Sequence, residues 1–104
     1  MSPESPSNNR SKSEQMNMFD YATMTMSIQD HINTSDLIIS NPDSFTISTA
    51  SSMLASTNMH IEKLERLSQN IPENLQKELE QDLPILLGTL RKIQELAEQK
   101  LKDL

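Results

Sequence analysis

His31 and His60 are the only histidines in this chain of 104 residues, and histidine is the side chain whose charge ordinarily changes between pH 5 and 8. A metal site built on a helix sets a second histidine or a glutamate three or four positions from the first. Neither histidine has such a neighbour, and the chain has no cysteine. Cys-ligated zinc, thiolate nucleophiles and disulfides are therefore excluded, and no metal or cofactor is expected. Nucleophilic catalysis would need a serine or threonine held by a histidine with an orienting acid. Fourteen serines beside two histidines make such pairings arise by chance, so no catalytic residue is assigned. Glu78, Glu80 and Asp82 resemble an acid and base set, yet they fall on the wet face of a leucine-striped segment. The single glycine, Gly88, cannot furnish the glycine-rich loops that cradle phosphates. The chain reads as a non-enzyme.

The least ordinary residues are seven methionines, with Met16, Met18, Met24 and Met26 crowded around Phe19 and Tyr21. Flexible, polarisable methionine fills irregular cores and also suits adaptable binding surfaces. Both readings stand at this point. In the second, residues 16–28 form a docking motif with Met18, Phe19, Tyr21, Met24 and Ile28 as its contacts.

Charge narrows the partners. The net charge is −6, and no Lys or Arg lies between Lys12 and Lys63, a stretch holding Glu14, Asp20, Asp30, Asp36 and Asp43. Nucleic acids and anionic membranes are gripped through basic side chains. No nucleic acid is expected, and membrane contact is disfavoured. The Asn33-Thr34-Ser35 sequon has no accompanying sign of secretion, and the longest apolar run, residues 83–87, contains Pro84. The expectation is a cytoplasmic or nuclear protein, neither secreted nor transmembrane.

The elements that position these residues are helical. The hydrophobic fraction is 35%, drawn mostly from Leu, Ile and Met with no Val and no Trp, a palette for helices and a poor one for strands. Residues 1–13 carry Ser, Pro and Asn with no aliphatic side chain after Met1 and read as a disordered tail, with Ser2-Pro3 and Ser5-Pro6 open to phosphorylation. A first, marginal helix is expected over residues 14–40, from Tyr21, Met24, Ile28, Ile32 and Ile39 at helical steps. Asn41-Pro42-Asp43 marks a stop and restart, with Asn41 capping a second helix over residues 43–69. That helix sets Ile47, Leu54, Ile61 and Ser68 on one seam and Ala50, Thr57, Leu64 and Ile71 on another, widened by Met53, His60 and Leu67. Asn70 and Glu73 suggest a capping box for the last helix. Its stripe is the clearest pattern in the chain: Leu75, Leu79, Leu83, Leu86, Leu90, Ile93, Ala97, Leu101 and Leu104. A kink or break is expected near Pro84, with Asp82 placed to cap a restart.

The fold class that follows is all-α, an elongated helical hairpin or bundle with coiled-coil-like packing and residues 41–104 as its hairpin. A hairpin alone leaves one side of a bundle open, to be closed by other chains. The expected function is a non-catalytic scaffold or adaptor subunit of a larger eukaryotic complex, of the organelle-positioning, kinetochore or transcriptional co-activator kind. Other helical subunits are its partners, hetero-assembly being preferred to a homodimer whose acidic halves would meet. The contacts expected are Ile47, Leu54, Ile61, Leu64, Leu67, Leu75, Leu79, Leu83, Leu86, Leu90, Ile93 and Leu101. The alternative is a stand-alone regulatory protein that docks its Met-rich first helix into a partner's groove.

Overall fold

The computed structural model describes residues 16–103, and the expected tail with its two Ser-Pro pairs lies outside them. Three α-helices fill the described residues: α1, Met18–Ser40; α2, Ile47–Gln69; and α3, Gln76–Lys102, preceded by a 3₁₀ turn, Glu73–Leu75. No strand occurs among the described residues, and the molecule is elongated, 61 × 25 × 20 Å. The all-α expectation holds.

Helix α1 begins where Asn17 stops the chain in extended backbone and its side chain accepts the Asp20 amide at 2.7 Å. Asp20 then sits in the first turn, where negative charge meets the positive end of the helix dipole. The helix buries Tyr21, Met24, Ile28, Ile32 and Ser35, which recur at steps of three and four.

The second helix starts later than the sequence suggests. Asn41 does not cap it, because the Asn41 side chain already accepts the Asp43 amide at 3.1 Å. The Asn41 carbonyl also receives the amides of Ser44 and Phe45, so residues 41–45 form a turn of their own. Thr46 takes the capping role. Its hydroxyl accepts the Thr49 amide while the Thr49 hydroxyl accepts the Thr46 amide at 2.9 Å. Thr49 thus stands where a capping box usually has Glu or Gln, which hides the signal from a pattern search.

The third expected start is also corrected. Pro72 excludes Ile71 from helical backbone and is itself extended, with φ −61° and ψ 138°. Asn70 therefore ends α2, with its amide donating to the Leu67 carbonyl, and no Asn70–Glu73 capping box forms. The 3₁₀ turn carries Leu75, fully buried, into the end of the core.

Helix α3 runs unbroken through Pro84, so the expected restart at Asp82 does not occur. Proline removes one bond, to the carbonyl four residues back. Glu80 and Pro84 are both exposed, which leaves that carbonyl within reach of water, while buried Leu79, Leu83 and Leu90 hold the register. Gly88 lies mid-helix with ordinary backbone, and a Cβ built on it meets nothing within 4 Å. Gly88→Ala should accordingly raise stability by about 0.5–1 kcal/mol through lost unfolded-state entropy, read as a higher urea midpoint.

Cross-helix bonds fix the topology. Tyr21 meets Asp82 of α3, the Met16 carbonyl just before α1 accepts from Asn74 in the 3₁₀ turn, His31 meets Thr57, and Asn58 and Glu65 of α2 meet Gln94 and Arg91 of α3. Helix α1 is thus antiparallel to α2 and parallel to α3, an up-down-up bundle. The core of Ile28, Ala50, Leu64, Leu75, Leu79, Leu90 and Ala97 is drawn from all three helices and closed by them. Among the described residues the open side expected of a lone hairpin is therefore occupied, and α1 is what occupies it.

Candidate functional site

Polar chemistry is concentrated where α1 crosses α2. The His31 and His60 rings, 29 positions apart in sequence, lie with centroids 5.1 Å apart and planes tilted by 48°. His31 Nε2 is 2.7 Å from the Thr57 hydroxyl, with Ser35 Oγ at 3.5 Å on the same nitrogen. Thr57 is fully buried, Ser35 nearly so, and His60 is 94% removed from solvent with its Nδ1 unpartnered. A buried polar atom without a partner is costly, and charging the ring would cost more. Burial holds the pKa of both rings below the usual histidine value, and for His60 the neighbouring His31 and Lys63 act in the same direction. Burial thus favours the neutral form of each ring, at half-buried His31 and at buried His60.

The Thr57–His31 bond has the reach of a nucleophile and its base. Its surroundings do not match that role, because Thr57 is inaccessible and among the described residues no carboxylate bonds to either ring. No three acidic or histidine side chains among the described residues converge as metal ligands. The bond instead ties α1 to α2. A second tie joins Tyr21 to Asp82 of α3, the phenol donating to the carboxylate at 2.5 Å. Burial first, and then that carboxylate, hold the phenol's pKa well above its ordinary value, so Tyr21 stays a donor.

The residues expected to contact partners are distributed unevenly. Ile61, Leu64, Leu75, Leu79, Leu83, Leu90 and Ile93 are buried within the chain's own core. Ile47 is half-buried, and Leu54, Leu67, Leu86 and Leu101 are half-buried against that core. The proposed docking motif is divided by the helix: Tyr21, Met24 and Ile28 face inward, whereas Met18 and Phe19 face out. Using all five together would require α1 to leave the bundle. Leu86 and Leu90 also differ, since Leu86 is half-buried and Leu90 fully buried, where a charge would be left without water or a partner.

What remains exposed defines a different face. Phe19, Met26 and Leu37 are 77%, 67% and 74% exposed. Their spacings of seven and eleven residues correspond to about two and three helical turns at 3.6 residues each, so they share one side of α1. Across the groove from Met26, Ile85 of α3 is 66% exposed. Leu37 and Ile85 are not among the contacts expected from sequence, and Met26 falls within the expected 16–28 motif without being one of its named contacts. Their signal was present as apolar residues lying off the core stripe, but that is visible only once the stripe is known. Comparison with protein-family models, curated proteins and solved structures finds no match to this chain.

Proposed function

We propose that this protein is a non-catalytic helical adaptor subunit of a larger protein assembly, held there through the outer side of α1 and the adjoining edge of α3. One observation carries the reading. The bundle draws its core from its own helices, yet among the described residues four of the six exposed large hydrophobic side chains (Met18, Phe19, Met26 and Leu37) lie on one helix. A complete core gives no internal reason for that concentration, and exposed apolar surface of this kind is what interaction sites use. A cytoplasmic or nuclear setting and helical partners belong to the same proposal.

Affinity isolation of the tagged protein from its native cells, at low and high salt, tests it. The expected result is a salt-resistant set of small helical proteins in matched amounts. The double variant Phe19→Asp, Leu37→Asp should lose at least about tenfold of that recovery while its unfolding free energy, from urea denaturation, changes by no more than about 0.5 kcal/mol, because surface changes seldom cost more. Isolation of the protein alone would overturn the reading, and so would full recovery with the double variant.

A further inference from the structure

We propose that the groove between α1 and α3 seats one amphipathic helix of another protein, with its apolar stripe flanked by lysine or arginine. The inference rests on the adaptor reading and names the site and the chemistry of its occupant. Two open clefts lie in line along these parallel helices. The first, about 360 Å³, is lined by Thr25, Met26, Gln29, Asp82, Ile85 and Leu86. The second, about 350 Å³, lies between Asp36, Ile39 and Ser40 on one side and Gly88, Lys92 and Leu96 on the other. Thr25 and Ser40, the outermost α1 residues lining the two clefts, lie about 22 Å apart along the helix at 1.5 Å per residue, roughly four turns of a docked helix.

Shape and charge select that occupant. Met26 and Ile85 offer exposed apolar contact at one end. Gly88, without a side chain and with open space above it, permits close approach of a second backbone near the middle. Asp36 and Asp82 line the clefts, against Lys92 as the one Lys or Arg there, and α1 carries Asp20 and Asp30 beyond the lining with no Lys or Arg of its own. A basic flank on the incoming helix meets this rim favourably. A second copy of this chain carries the same net charge of −6, so like charge would meet like charge, which repels. Helix-in-groove docking of this kind completes a four-helix arrangement.

The test uses three labelled synthetic peptides of about 20 residues: a leucine stripe flanked by lysine, the same stripe flanked by glutamate, and a scrambled lysine peptide. Fluorescence anisotropy against the full chain should show binding of the first, at least about tenfold weaker binding of the other two, and weakening by salt. The variant Met26→Gln, Ile85→Gln keeps every charge and touches no core residue, and it should weaken the first peptide at least about tenfold. Equal binding by the glutamate peptide would overturn the proposal, as would undiminished binding to the double variant. A concentration-dependent doubling of mass that the double variant abolishes would make a second copy the occupant and overturn it equally. The adaptor reading fails separately: isolation from cells without companions sinks that reading even where the lysine peptide binds, whereas companions retained by Met26→Gln, Ile85→Gln sink the groove alone.

Discussion

Leu90→Ala should cost about 2–5 kcal/mol of folding free energy, because it deletes three buried carbons and leaves a cavity that the helices can only partly close. Leu90 is fully buried on α3, in a core to which α1 and α2 both contribute. A small domain has about 5–15 kcal/mol to lose, so this single change removes a large share of its stability. Chemical denaturation followed by helical circular dichroism measures it. Leu86→Ala, at a half-buried position, should cost visibly less. A loss under about 1 kcal/mol at Leu90 would mean that the three helices do not close on one another in solution, and the self-contained core would have to be given up.

The second large effect is a loss of stability on mild acidification. The folded protein holds His31 and His60 with pKa values below the ordinary 6.5, through burial and, at His60, through the positive charge of His31 and Lys63. Between the unfolded and folded values the unfolded chain binds more protons, so stability rises with pH across that interval. It is fully present above about pH 6.5, falls as pH drops below that, and stops falling once the folded rings have themselves protonated. The slope cannot exceed about 1.4 kcal/mol per pH unit for each histidine. Urea midpoints taken at steps from pH 7.5 to pH 5 should trace this decline, and His60→Gln should flatten it. A midpoint independent of pH over that range, or one rising on acidification, would show that the rings are solvated and not held between α1 and α2.

How far these features were legible differs from residue to residue. The α3 stripe is plain because Leu79, Leu83, Leu90, Ile93 and Ala97 repeat at helical steps with no competing pattern, and each is buried as that spacing requires. The α1 stripe of Tyr21, Met24, Ile28 and Ile32 is legible for the same reason, despite its poor helix formers. Helix starts were less legible, because capping depends on which of several nearby polar side chains wins the free amides. Asn41 was drawn into an Asx turn, leaving the cap to Thr46, and the loss turned on a bond two residues away. Pro84 suggests a kink or break because its local cost is real. What outweighs it is the burial of leucines on either side, each contributing about 1.5–3 kcal/mol when removed from water.

Legible in the sequence are the helical character of the chain, the positions of its three apolar stripes, and a stretch from residue 13 to 62 with acids and no Lys or Arg. Periodicity and charge are local properties, set by side chains a few positions apart, and they need no knowledge of neighbours in space. Tertiary structure alone decided that α1 folds back onto the hairpin, that the two histidines meet across the α1–α2 interface, and that Met18 and Phe19 face outward while Tyr21, Met24 and Ile28 face in. Each of these depends on which stripe packs against which. One apolar stripe is chemically as able to meet a helix of its own chain as one of another, so the choice is made by loop length and packing geometry and is not written in the spacing of any single segment.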